Sequence, residues 1–183
     1  MVRAQPHLTG WSPVTALDLS VVNAVLEGSW AEAASDYAAE WRARRSQGRR
    51  GPVGAQKHLN AVIDRRFREA GWNAHSSTYM CEGLWFRVTF RHQMSLGSNF
   101  LDALKAVVRH GFDVAVIAAA TRDFLESISP ADAPALTSFE KLRADYSDLE
   151  GVISVPIVIA ALEPSSLVTG PVLDAIRDPS RRR

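Results

Sequence analysis

The chain has 183 residues, a formal net charge of +1 and one cysteine, with 46% hydrophobic and 22% charged residues. This composition is that of an ordinary globular protein, and the length fits one domain of about 100–200 residues. The single Cys81 excludes an intrachain disulfide and a cysteine-based zinc cluster. No apolar run reaches the roughly 20 residues that a membrane span needs, and the N-terminus lacks a signal-peptide pattern. We therefore expect a cytoplasmic protein without a membrane segment.

The hydrophobic periodicity predicts alternating helices and strands after an irregular segment 1–13, while 14–26 fits either type. The other predicted elements, in chain order, are helices at about 30–45 and 54–70, strands at 75–80 and 84–91, a helix at 98–110, a strand at 113–119, short helices at 121–128 and 137–146, a strand at 152–162 and a helix at 172–177. This order predicts an α/β fold in which helices flank a central mixed β-sheet. We treat 1–183 as one domain, with an N-terminal helical part (1–50), a core (51–162) and a C-terminal tail (163–183).

Two helices carry specific expectations about packing. Ser29 is expected to cap the helix at 30–45, whose aromatic residues between Trp30 and Trp41 suit either the core or a dimer interface. In the helix at 98–110, four apolar side chains are expected to face inward: Leu101, Leu104, Val107 and Val108.

Basic residues are concentrated in one part of the chain. Between Arg42 and Arg68 there are nine of them against a single acid, Asp64, so the remainder of the chain must be acidic. Such asymmetry is typical of proteins that contact a polyanion, although a solvated charged segment is the alternative. The residues that we expect to contact DNA phosphates here are Arg42, Arg44, Arg45, Arg49, Arg50 and Lys57.

The predicted strand 84–91 alternates strictly between apolar and other side chains. Its apolar face consists of Leu84, Phe86, Val88 and Phe90. Its other face consists of Trp85, Arg87, Thr89 and Arg91. We expect this second face to line a cleft, with Arg87 as a phosphate ligand, because arginine binds phosphate in a bidentate manner without a metal. His92 follows directly.

Over residues 50–162 the chain resembles the BglII-type restriction endonucleases of the PD-(D/E)xK nuclease superfamily. The segments that carry the resemblance are Gly71-Trp72, Gly111–Ile117, Thr137-Ser138 and Pro156–Ile159. The resemblance implies a restriction-endonuclease-like fold, double-stranded DNA as the partner and a homodimer formed through helices. It also implies a divalent ion, held by acids on two adjacent strands, that activates water against the scissile phosphate.

The chain departs from the family's pattern at the catalytic positions. The resemblance places the first acid near Thr78 and the two strand residues at Arg87 and Thr89. An arginine at a metal position both removes a ligand and repels the cation. We therefore predict a catalytically inactive DNA-binding protein, a pseudonuclease without cofactor or metal, in which Arg87, Thr89, Arg91 and His92 add to the DNA-binding residues.

Two alternatives remain open. The first is an active, Mg²⁺-dependent type II-like endonuclease with a migrated acidic site at Glu82, helped by Glu40 or Glu27. The second is a protein-interaction scaffold that does not bind DNA, because a fold does not determine a function.

Overall fold

The structure is a computed structural model that describes residues 2–4, 19–52, 54–149 and 151–164, with only the backbone for 2–4. Its helices are α1 (Ser20–Leu26), α2 (Ser29–Ser46), α3 (Gln56–Glu69), α4 (Leu96–His110), α5 (Arg122–Ile128) and α6 (Phe139–Leu149). Its strands are β1 (Val2–Ala4), β2 (Asn73–His75), β3 (Thr78–Cys81), β4 (Leu84–Thr89), β5 (Val114–Ala120) and β6 (Ile157–Leu162). The helix predicted at 172–177 lies outside the described residues. None of the helices in the described ranges is long and apolar enough to cross a membrane.

The strands form one mixed sheet of six, in the order β1-β6-β5-β4-β3-β2. The three central strands β6, β5 and β4 are parallel, because α4 carries the chain from the end of β4 back to the start of β5. The β1–β6, β4–β3 and β3–β2 pairs are antiparallel. The strands β4, β5 and β6 therefore all end on the same side of the sheet, and we call this line of strand ends the carboxyl edge.

Helices cover both faces of the sheet. On one face, α1, α2, α3 and α5 bury a large cluster that includes Phe86 and Val116. On the other face, α4 and α6 bury a second cluster that includes Trp85 and Ile117. The strand β5, wholly buried, lies between the two layers, as its continuous apolar run predicts. The predicted fold class, an α/β protein with a central mixed sheet flanked by helices, is confirmed.

The helices α2 and α3 form an antiparallel pair. The start of α2 contacts the end of α3 through Glu32 and Arg66, whose Oε2 and Nε lie 3.1 Å apart. The end of α2 contacts the start of α3 through Glu40 Oε2 and His58 Nε2, 2.9 Å apart. Trp30 and Tyr37 are buried within the chain, so of the two interpretations of this helix, the core is the one observed.

Several local predictions were wrong. Ser29 is the first residue of α2 rather than its cap; the preceding Gly28 turns the chain with a φ of 71°. The strand expected at 75–80 is interrupted by a turn at Ser76-Ser77, which separates β2 from β3. The N-terminus was expected to be irregular but contributes β1, an outermost strand of the sheet. This strand was missed because three residues are too few for a periodicity to be recognised.

The inward face of α4 also differs from the prediction. Leu101 and Val108 are 51% and 69% exposed, whereas Ala103 and Ala106 are buried against the sheet. The small residues allow the helix to lie close to β5, which presents Ala115 and Ala119 on this face. Leu104 and Val107 are partly buried against this cluster, so the prediction was right for two of its four residues. It was wrong for Leu101 and Val108, because the closest packing uses alanine.

Candidate nucleic-acid interface

Arg87 does not line an open cleft. It points from β4 toward α4, which covers this face of the sheet, and only 8% of the residue is exposed. Thr89, two residues further along the same face, is 2% exposed. The expectation that the second face of β4 is open was wrong for these two residues, because the polar residues of α4 provide a buried partner for the arginine.

The Arg87 guanidinium is satisfied by groups within the protein. Nη1 lies 2.7 Å from Oδ2 of Asp102 and 3.4 Å from Oδ1 of Asn99. Nε donates to the Thr78 hydroxyl at 3.0 Å. The guanidinium carbon also lies 4.9 Å from the centre of the Trp85 ring, a cation–π distance. A buried charge with these partners is compensated without any external phosphate.

Thr78, Arg87 and Thr89 lie close together in the structure. Thr78 is directly opposite Arg87 in the β3–β4 pair. Asn99 links the group, since its Nδ2 donates to the Thr89 hydroxyl at 3.2 Å. We call these five residues, Thr78, Arg87, Thr89, Asn99 and Asp102, the arginine network. Three of its members, Thr78, Arg87 and Thr89, are the positions at which the resemblance led us to expect metal-binding acids.

The arginine network offers a divalent ion little to bind. Its one carboxylate, Asp102, already contacts Arg87 and lies 4.0 Å from the Lys105 ammonium. Two hydroxyls and an amide are weak ligands for a cation that sits beside a guanidinium. Nowhere within the described residues do three His, Cys, Asp or Glu side chains come close enough together to hold a metal ion.

Glu82 lies far from this network along the sheet. It is exposed in the turn between β3 and β4, at the edge opposite to the carboxyl edge. The nearby carboxylate is Asp113, whose amide donates to the Gly83 carbonyl at 2.8 Å. Glu40 is paired with Arg44 and His58 at the end of α2, and Glu27 precedes α2, so the three glutamates do not converge on one site.

The structure divides the basic run into two halves. Arg65 and Arg66 bind Glu32, and Arg68 binds Asp64 with 2.9 Å between Nε and Oδ2. The Arg65 guanidinium holds the pKa of the Glu32 carboxyl below its usual range by hydrogen bonding, with burial opposing this and Arg66 adding to it. The positive charge in the second half of α3 is thus largely neutralised.

The first half of the run keeps its charge. Among the described residues, no carboxylate pairs with Arg42, Arg45, Arg49, Arg50 or Lys57, all of which are exposed. Arg45 packs over the Trp41 ring at 5.2 Å, a contact that leaves its charge intact. Arg44 is different, because it pairs with Glu40 within α2.

Side-chain hydrogen bonds to backbone carbonyls bring this half to the carboxyl edge of the sheet. The side-chain amide Nε2 of Gln56, at the start of α3, donates to the Phe90 carbonyl beyond β4 at 3.4 Å. The Tyr37 hydroxyl lies 3.1 Å from the Pro52 carbonyl, which fixes the loop between α2 and α3. Exposed Arg91 follows Phe90. We call the surface formed by Arg42, Arg45, Arg49, Arg50, Lys57 and Arg91 the basic end.

Arg91 and His92 line an open depression of about 560 Å³ beside the basic end, and the exposed Asp132 also lines it. The backbone here is held to the loop before α6, since the Thr137 amide donates to the Arg91 carbonyl at 2.8 Å. Gln93 donates to the Pro134 carbonyl at 2.9 Å. Both predicted DNA-contact residues are exposed on a fixed backbone, in contrast to Arg87 and Thr89.

Asn99 and Asp102 were missed by the sequence reasoning. The signal for them was their spacing of three residues, which places both on one face of α4. Pairing that face with a strand that carries a buried arginine requires the three-dimensional arrangement.

The chain is similar to two crystal structures of the restriction endonuclease BglII. For BglII complexed with a DNA 16-mer, the identity is 15%, the TM-score 0.47, and the alignment covers 60% of this chain and 55% of that one. For free BglII, the values are 14%, 0.46, 64% and 61%. The chain thus spans less than two thirds of the length of BglII. No protein-family model and no curated protein matches it.

Proposed function

We propose that the protein binds duplex DNA through its basic end and does not cleave it. The observation that carries the proposal is that the basic residues between Arg42 and Arg68 fall into two groups. Arg65, Arg66 and Arg68 are paired with carboxylates. The cations at the carboxyl edge are exposed and lack carboxylate partners among the described residues. Exposed cations gathered on one surface are the electrostatic footprint of a protein that binds a polyanion. The carboxyl edge is also where open α/β sheets commonly bind ligands.

The DNA contacts in this proposal differ from those expected from the sequence. Arg42, Arg45, Arg49, Arg50, Lys57, Arg91 and His92 remain as candidates for phosphate contacts. Arg44 contributes less because Glu40 neutralises it. Arg87 and Thr89 do not reach DNA in this arrangement, and they instead hold α4 on the sheet beneath the basic end.

The absence of cleavage in the proposal rests on the arginine network. Chemistry through a divalent ion needs several oxygen ligands of high charge. Here the Arg87 guanidinium lies where a metal ion would be expected, and it pairs with the one carboxylate of the network, Asp102. The protein is therefore proposed to need no cofactor, and supercoiled plasmid should stay intact in Mg²⁺ or Mn²⁺. Nicking that disappears in Glu82→Ala would establish the endonuclease alternative instead.

The experiment that tests DNA binding is gel retardation of a labelled duplex across a salt series. Each phosphate contact contributes about 0.9 to the slope of log affinity against log salt, so six contacts give a slope of about −5. The double variant Arg49→Glu/Arg50→Glu should weaken binding and reduce the slope by about 2.

The matched control is Arg65→Glu/Arg68→Glu, which makes the same change in net charge in the second half of α3, away from the basic end. It should leave both the affinity and the slope unchanged. Equal losses in the two variants would show that only net charge matters. No retardation of the wild type at low salt would exclude the proposal and favour the protein-interaction scaffold.

We also infer a homodimer, supported by the outer face of α4. Leu101 and Val108 are exposed one heptad apart on this helix, and Met94, in the short turn before α4, is 97% exposed. Exposed apolar stripes of this kind mark association surfaces. Sedimentation should give a dimer for the wild type and a monomer for Leu101→Glu/Val108→Glu. A monomeric wild type at micromolar concentration would exclude this inference.

A further inference from the structure

The two tight hairpins of the sheet use different residues for the same turn. The β2–β3 turn has Ser76 and Ser77 at φ values of 50° and 60°. The β3–β4 turn has Glu82 and Gly83 at 41° and 80°. Positive φ at both central residues is the geometry of a type I′ turn, for which Asn-Gly, Asp-Gly and Gly-Gly are strongly preferred. The serine turn is therefore the one with the less favourable chemistry.

Serine is strained at these φ values because its Cβ approaches the carbonyl oxygen that follows. The pairing around the turn holds it in place, with His75 opposite Thr78 and the Val88 amide donating to the Ser77 carbonyl at 3.1 Å. Glycine would relieve the strain without loss of any of these backbone contacts. A residue kept in a strained conformation is a reason to look for a function of its side chain.

The position of the turn suggests that function. Ser77 lies one residue beyond Thr78, whose partner in β4 is Arg87, so the turn lies at the carboxyl edge. His75 and Ser76 are exposed and Ser77 is half-buried. The Glu82-Gly83 turn lies at the opposite edge. Of the two hairpins, the one with non-glycine residues at both turn positions thus shares an edge of the sheet with the basic end.

We propose that the hairpin tip His75-Ser76-Ser77 enters the major groove of the bound duplex and forms hydrogen bonds with base edges. This inference rests on the proposed DNA binding and adds how bases are read. The major groove, about 12 Å wide, accommodates a two-stranded β-ribbon. A serine hydroxyl both donates and accepts, which base edges require, and the imidazole supplies a donor. Glycine would make the same turn but would present no polar side chain.

The test compares the same turn chemistry at the two edges of the sheet. Ser76→Gly/Ser77→Gly gives Gly-Gly at the tip, and the control Glu82→Gly gives Gly-Gly at the opposite edge. Both variants have Gly-Gly, which forms this turn without strain, so neither should lower the melting temperature. The tip variant should bind duplex at least fivefold more weakly than the wild type, whereas the control should bind as the wild type does. His75→Ala, which leaves the turn residues unchanged, should also weaken binding.

A second measurement identifies the groove. A duplex whose pyrimidines carry bulky substituents at C5 has an obstructed major groove with an unchanged phosphate backbone. It should bind the wild type as weakly as the tip variant binds ordinary duplex, and the tip variant should not distinguish the two duplexes. Unchanged affinity in the tip variant, or equal weakening of both proteins by the obstructed groove, would overturn the inference while leaving the salt-dependent DNA binding intact. Failure of the wild type to bind any duplex would overturn both.

Discussion

Removing either partner of the Arg87–Asp102 pair should destabilise the protein, but by different amounts. The Arg87 side chain is 10% exposed and that of Asp102 is 36% exposed. In Asp102→Ala the guanidinium stays buried without a counter-charge, and breaking a buried pair in this way costs about 3–5 kcal/mol. In Arg87→Met the remaining carboxylate is exposed enough to regain water, so the loss is limited to charged hydrogen bonds and should be about 1.5–3 kcal/mol. Asp102→Ala should therefore be the more harmful change.

Urea denaturation measures both losses as changes in the free energy of unfolding. The double variant Arg87→Met/Asp102→Leu removes both charges while retaining volume, and such replacements are commonly neutral or stabilising. It should be more stable than Asp102→Ala, and in the cycle completed by the single variant Asp102→Leu the coupling energy should exceed about 1 kcal/mol. Lys105→Ala, which removes the more distant exposed partner of Asp102, should change stability by less than about 0.5 kcal/mol. Additive single losses would refute the network as described.

Two further predictions concern charge and backbone. Because the Glu32 pKa is lowered in the folded protein, Glu32 stabilises the fold above its unfolded pKa of 4.5, and this stabilisation is lost as pH falls through the folded pKa. Glu32→Gln should thus be less stable than the wild type at pH 7, and the difference should shrink below pH 4.5; a constant difference would contradict the coupling. Gly83→Ala should cost about 1–3 kcal/mol in chemical denaturation, because φ is 80° and a Cβ would collide with the Asp113 carboxylate. Gly71→Ala, with φ of 83° but no neighbour within 4 Å, should cost less, and equal losses would show that the collision is relieved by movement of Asp113.

The sequence predicted most of the fold from two kinds of signal: apolar patterns in Gln56–Glu69 and Val114–Ala120, and the charges near the two ends of Ser29–Ser46. The helices at Ser29–Ser46 and Gln56–Glu69 and the strand Val114–Ala120 were found close to their observed bounds. Short elements were not, since a three-residue strand or a two-residue turn has no periodicity. The face of α4 was assigned to the larger apolar residues, whereas the structure buries alanines against alanines.

The candidate site was predicted less completely. Alternation along β4 correctly placed Arg87 and Thr89 on one face, but the pairing of Thr78 with Arg87 was not predicted. Whether that face is open depends on Asn99 and Asp102, which come from a helix beyond the strand. In the same way, the basic run does not show which arginines are neutralised, because the acid Glu32 is more than 30 residues away in sequence. Exposure and pairing are properties of the tertiary structure.

The antiparallel pairing of α2 and α3 also separates negative from positive charge along the two helices. Glu32 removes positive charge at one end of the pair, while exposed Glu69, Glu82 and Asp113 lie toward that same side of the sheet. Positive charge persists at the other end, so the helix pair itself has a dipole along its length. Such a dipole turns a protein in the field of a polyanion before contact and raises the rate of productive encounters. This arrangement therefore orients the protein relative to a polyanion, although its total charge is small.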